Sequence, residues 1–249
     1  AQDVTAYGVD LYGKFKLAEL VRELCKIEEL RWIRLMYCYE DRITDELIQV
    51  MAEQEKVCHY IDIPIQHASD KILSAMNRRS TKAGIMNTLA KLREAMPDIH
   101  IRTTLITGFP GETKEDFQEL LDFVETVKFE RLGIFAYSKE EGTAAATMKG
   151  QVRKDVKERR RDNILRHQIE ISLASNEKKL GRELEVLIEG RDEEGAYYGR
   201  TMYDAPEIDN GAILKSEKEL NAGDMVKVKV VDAFDYDLVC EDIQMEEEK

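Results

Sequence analysis

The clearest chemical signal in this 249-residue chain is Gly108-Phe109-Pro110-Gly111-Glu112-Thr113. Two glycines let main-chain groups approach a ligand closely, and Pro110 stiffens the turn between them. The β-branched run Ile101 to Thr107 before it reads as a buried parallel strand. The apolar-periodic Leu120, Leu121, Phe123, Val124 and Val127 after it read as an amphipathic helix, and Thr113 with Asp116 fits a capping box at its start. Sheets and barrels of the α/β class hold their ligands at the carboxyl ends of parallel strands. A strand-to-helix turn also serves simply to change direction, and the loop by itself leaves both readings open. Gln66-His67-Ala68-Ser69 ends the preceding predicted strand on the same side, with Ser69 suited to cap the next helix.

Metal and disulfide chemistry find little support. Cys25, Cys38, Cys58 and Cys240 show neither CxxC nor CxxxCxxC spacing, and Cys58-His59 is half of a metal site with no second pair. They read as small apolar residues. No apolar run is long enough to span a bilayer and no signal-peptide pattern is present, so a cytoplasmic protein with no membrane partner is the expectation. The net charge of −13 is uneven: residues 178–249 hold 10 Lys and Arg against 20 Asp and Glu, the first 177 residues 27 against 30. An acidic terminal module repels a phosphate backbone and attracts a basic partner; acidic surfaces also simply confer solubility.

The elements that position the loop alternate. A helix marked by Leu17, Leu20, Val21, Leu24 and Ile27 precedes a strand over Trp32–Tyr37. A helix over Asp45–Gln54, opened by Thr44, precedes a strand over Tyr60–Gln66. Helices over Ser69–Met76 and Lys82–Ala95 lead to the strand before the glycine loop, and a last strand covers Leu132–Ser138. Ala1–Thr5 reads as the trailing end of an earlier strand. These β-α units predict a right-handed parallel sheet or partial barrel. A linker over Gly142–Gly150 and a long helix from Val152 to about Leu180 follow. From Gly181 onward alternation and turns predict some five short strands, a small closed β-barrel of the oligonucleotide-binding type. Tyr197, Tyr198, Tyr203, Phe234 and Tyr236 are placed to stack on bases in such a barrel. Their neighbours Asp204, Glu207, Asp235 and Asp237 disfavour nucleic acid as a partner. Domain bounds of 1–141, 142–180 and 181–244 with an acidic tail at 245–249 follow from these readings.

Several stretches together resemble a radical-SAM methylthiotransferase carrying a C-terminal TRAM domain. They are Ala1 through Gly8, Pro64-Ile65-Gln66-His67-Ala68-Ser69-Asp70, Met76-Asn77-Arg78, Arg102 through Thr113, and Tyr137-Ser138 with Glu141-Gly142-Thr143. Within that family, Gln2-Asp3, Tyr37-Cys38-Tyr39 before Asp41-Arg42, Gln66-His67, and Tyr203-Asp204-Ala205-Pro206-Glu207-Ile208-Asp209 resemble the type that methylthiolates the β-carbon of an aspartate in small-subunit ribosomal protein twelve. The acidic terminal module agrees with such a basic protein partner. The alternatives are a tRNA adenosine methylthiotransferase of the same superfamily, a non-catalytic TRAM-type binding module, and a metal-free aldolase-type barrel.

The resemblance implies a truncated radical-SAM TIM-like barrel followed by an OB-like TRAM barrel, with S-adenosyl-L-methionine and two 4Fe–4S clusters as cofactors of the full-length enzyme. The CxxxCxxC loop and the N-terminal cluster domain of the family do not occur in this sequence and are expected upstream, so the chain alone is expected to hold no cluster and to be inactive. The resemblance also implies cofactor-side roles for Gln2, Asp3, Gln66, His67, Arg102, Gly108, Phe109, Gly111 and Glu112. It implies substrate docking by Tyr203, Asp204, Glu207 and Asp209. Arg102, at the start of its strand, also suits a structural ion pair.

Overall fold

The computed structural model describes residues 2–209 and 211–243; the acidic tail lies outside the described residues. The chain divides into two compact units, residues 1–168 and 169–249.

The first unit is built on a parallel sheet of β1 (Ile33–Leu35), β2 (Val57–Asp62), β3 (His100–Thr107) and β4 (Arg131–Ala136), in the order β1-β2-β3-β4. Its helices are α1 (Val9–Tyr12), α2 (Leu17–Cys25), α3 (Asp45–Glu53), α4 (Asp70–Ala75), α5 (Lys82–Ala95), α6 (Lys114–Val127) and α7 (Ala144–Thr147), with the start of α8 (Lys154–Glu177). Caps set the helix starts: Thr44, Thr81 and Thr113 each accept a main-chain N–H from the first turn. Thr113 and Asp116 form the expected capping box. Along β3, buried Ile101, Thr103 and Leu105 alternate with half-buried Arg102, Thr104 and Ile106, the period of two that sends alternate side chains to opposite faces.

Three expectations are corrected. Gln2–Thr5 is not a strand; Val4 donates a single main-chain hydrogen bond to Tyr37 just beyond β1. Strand β2 starts at Val57, three residues before the predicted start, and its regular pairing ends at Asp62. Pro64 has no N–H to continue the ladder; the backbone rejoins β3 only at Gln66, whose φ is 70°. The 142–150 stretch contains the short helix α7, capped by Thr143.

In the second unit, β5 (Glu183–Arg191), β6 (Tyr197–Arg200), β7 (Ala212–Lys215), β8 (Met225–Ala233) and β9 (Leu238–Asp242) close into a barrel ordered β5-β6-β7-β9-β8. Only β7 and β9 pair in parallel. Val186, Ile188, Tyr197, Leu214, Val228, Val230, Leu238 and Cys240 fill it, each at most 3% exposed. Gly199 and Gly211 are required by packing, since a Cβ would meet the Leu187 and Gly199 carbonyl oxygens at 2.2 and 2.1 Å. Among the described residues no helix is long and apolar enough to cross a membrane.

Candidate functional site

Strand β3 hands directly into the glycine loop. Gly108 and Gly111 take φ values of 73° and 86°, where glycine alone is unstrained. The Gly108 N–H donates to Glu112 Oε2 at 2.6 Å, closing the loop on its own carboxylate. On the other side, Glu112 Oε1 accepts from Arg160 Nη1 of α8 at 2.6 Å, and the Glu112 side chain is fully buried. His67 packs against this network. Its Nδ1 accepts the Ser69 N–H at 2.9 Å, which puts the proton of a neutral ring on Nε2, 3.5 Å from Glu112 Oε2. A buried charge is tolerated when paired and hydrogen-bonded, and Glu112 is both.

The loop is braced from α8. The Cβ of Lys157 lies 2.2 Å from where a Gly108 Cβ would stand, and Thr107 Oγ1 donates to the Lys157 carbonyl at 3.0 Å. Lys157 Nζ donates to the Tyr137 carbonyl at 2.5 Å, and the Tyr137 ring meets Phe109 edge-on at 5.4 Å. The close approach that Gly108 permits is thus to a helix of the same chain. Ser69 holds the N-cap position of α4, but its hydroxyl donates to Asp116 Oδ1 at 2.8 Å instead of capping that helix. Burial opposes ionisation of Asp116; hydrogen bonds from Lys71, Thr113 and Ser69 outweigh it and hold the carboxyl well below the usual carboxylate range.

Beside the loop lies a cavity of about 550 Å³ at the carboxyl ends of the strands, walled by Tyr39, Arg42, Gln66, Arg78, Ile106 and Phe109 among others. Gln66 and Phe109 therefore meet in one cavity, with Gln66 held in its left-handed conformation between Thr104 and Ile106 of β3. His67, Gly108 and Glu112 form a separate buried cluster behind the loop. A Cβ on Gly111 would meet nothing within 4 Å. Asp3 accepts hydrogen bonds from Thr5 and from Arg42 at the cavity, while Gln2 is exposed. Arg102 donates to Asp62 Oδ1 at 2.8 Å and to Thr104 Oγ1 at 3.2 Å, and the Asp62 side chain is 1% exposed. Tyr39, Arg42 and Arg78 are cavity residues to which sequence reasoning gave no site role. The signal available for Arg78 was its place after Met76-Asn77, where an asparagine ends a short helix.

In the second unit Tyr203 and Asp204 are buried. Asp204 accepts from the Thr201 hydroxyl at 2.6 Å, and Asp209 from the Ala205 N–H at 2.9 Å, so both shape the 201–209 loop. Glu207, with φ 67°, is exposed. Of the aromatic residues, Tyr197 and Tyr203 are buried, whereas Tyr198 and Phe234 are exposed.

The cysteines do not fit an iron–sulfur cluster. Cys38, Cys58 and Cys240 are buried, and no group of three or more His, Cys, Asp or Glu side chains among the described residues is placed to hold a metal ion. Burial pushes the Cys38 thiol far above its ordinary value and the Cys240 thiol up to about 12, the reverse of what a thiolate ligand needs.

Family models match two parts of the chain. A radical SAM superfamily model matches residues 2–124 and a TRAM domain model residues 180–243. The ribosomal protein uS12 methylthiotransferase RimO of Caldanaerobacter subterraneus subsp. tengcongensis is 52% identical over 241 residues, 97% of this chain and 55% of that protein. The protein of the same name from Acetivibrio thermocellus is 53% identical over 97% of this chain and 53% of its own length. Along nearly its whole length the chain is similar to radical SAM methylthiotransferases of the RimO type. It spans about half the length of these curated relatives. Among solved structures, coproporphyrinogen III oxidase (HemN) from Escherichia coli overlaps with a TM-score of 0.46 at 19% identity, over 65% of this chain and 36% of that one. The parallel sheet of the first unit and the closed barrel of the second coincide with the radical SAM and TRAM matches, as the family resemblance implied.

Proposed function

We propose that this chain is the C-terminal part of the catalytic barrel, together with the docking module, of an enzyme that methylthiolates the β-carbon of an aspartate in ribosomal protein uS12. The observation that carries this reading is identity of about one half, along 97% of the chain, to proteins named for that activity. We assign residues 1–141 to the barrel, 142–180 to the linker and long helix, and 181–244 to the TRAM barrel.

S-adenosyl-L-methionine, when bound, supplies a carbon radical that removes an unactivated hydrogen, chemistry beyond any side chain. The cavity fits its adenosine part: Ile106 and Phe109 offer an apolar wall, and Gln66 offers an amide at a backbone position held strained by β3. Glu112, Arg160 and His67 keep the loop in place from behind. The iron–sulfur clusters are assigned to residues outside this chain. The acidic second unit, with 10 basic against 20 acidic residues from position 178 onward, suits a basic protein partner over an RNA.

The test is full-length reconstituted enzyme offered uS12 and tRNA side by side, with mass spectrometry of both. A methylthio group on a uS12 aspartate alone supports the reading; transfer to tRNA with uS12 unchanged overturns it.

A further inference from the structure

One wall of the cavity is cationic. Asn77 ends α4 with φ 59°, and the N–H groups of Asn77 and Arg78 donate to the carbonyls of Ser74 and Leu73 at 3.0 and 2.9 Å. This left-handed helix end carries Arg78 over the half-buried Tyr39 ring, its guanidinium 4.9 Å from the centroid. Arg42 lies 5.4 Å from the centroid of the same ring.

The cations differ in what they have left to give. Arg42 is paired with Asp3 and lies 4.0 Å from Asp41. Among the described residues, neither Arg78 nor Arg79 has a carboxylate in ion-pair range, and both line the cavity. A guanidinium stacked on a ring keeps its N–H fork free, and that fork matches a carboxylate in shape and charge.

We infer that Arg78 takes the side-chain carboxylate of the acidic residue that the protein substrate presents, with Tyr39 steadying its fork and Arg79 adding charge at the mouth. The inference rests on the proposed reaction at an aspartate. In aspartate the carboxylate is attached directly to the β-carbon, so a two-point grip on it places the reacting carbon to within a bond length. An amide in place of the carboxylate would leave the fork half satisfied and its charge unpaired, which is how a polar site rejects a near-isostere.

The test uses the full-length enzyme, peptides carrying Asp or Asn at the target position, and S-adenosylmethionine, with affinities read by fluorescence anisotropy and calorimetry. Wild type should prefer the Asp peptide by about 10- to 100-fold, the range of a charge-assisted hydrogen bond. Arg78→Gln should abolish that preference, Arg78→Lys keep part of it, and Arg79→Gln lower it less. Cofactor affinity should stay within about twofold in all three, which also reports that they are folded. Equal loss for both peptides would overturn the assignment. So would loss of S-adenosylmethionine binding instead, since its amino-acid carboxylate is the other source of the same chemistry. If wild type discriminates the peptides but never modifies the aspartate, the clamp stands and the proposed reaction falls.

Discussion

On the half-buried face of the parallel sheet, Arg102 and Thr104 stand beside Asp62, and Glu112, Arg160 and His67 are buried behind the glycine loop. The five-stranded barrel encloses Val186, Ile188, Leu214, Val228, Val230, Leu238 and Cys240. Both interiors are mainly apolar, but the first also encloses a charged network behind its glycine loop, whereas the barrel is filled by apolar side chains. The difference matches their work. A buried polar network fixes loop geometry by direction as well as distance, at the risk of a large loss when one member goes. An apolar interior loses stability in proportion to the volume removed.

The largest effect should come from breaking the Glu112–Arg160 pair on one side. Arg160→Met leaves a fully buried carboxylate without its cation and should cost about 3–5 kcal/mol. Adding Glu112→Gln should recover much of it. Urea unfolding followed by the fluorescence of Trp32, the chain's single tryptophan, reads the sheet unit; a double variant no better than Arg160→Met would mean that the pair is not the unit of stability. Next in size, Leu214→Ala in the barrel should cost about 2–5 kcal/mol through lost burial and a cavity. It should appear in circular dichroism with little shift of the Trp32 transition. A matching shift in both signals would show that the two interiors do not respond separately.

Thr113→Ala removes the accepting half of the capping box and should cost about 1 kcal/mol, seen as a modest drop in the same Trp32 transition. The last test is pH. Asp116 is held below the usual carboxylate range in the folded protein, so its contribution is fully present above the unfolded value and is lost as pH falls through the folded one. Asp116→Asn should flatten the acid limb of stability measured between about pH 5 and pH 2. An unchanged slope would remove Asp116 from the account.

What the sequence made legible follows from how local each signal is. The helix over Lys82–Ala95 and the Thr113–Asp116 cap were readable to the residue, because capping and helical period act within one turn. The start of β2 was missed because Val57-Cys58-His59 does not alternate, and its end because the ladder stops two residues before Pro64. Buried carboxylates were harder. Nothing near Glu112 in sequence announces Arg160, 48 residues away, or shows that Gly108 makes room for Lys157. The cationic wall is a convergence of two segments, after β1 and after α4, and no periodicity reports a convergence.

The ring of strands in the second unit has a further consequence. Every strand there has a neighbour on both sides, β5 closing on β8 and β7 on β9. Among the described strands none is a free edge along which a guest strand would pair. The surface it offers is therefore one of side chains, on the strands as well as on turns such as 201–209.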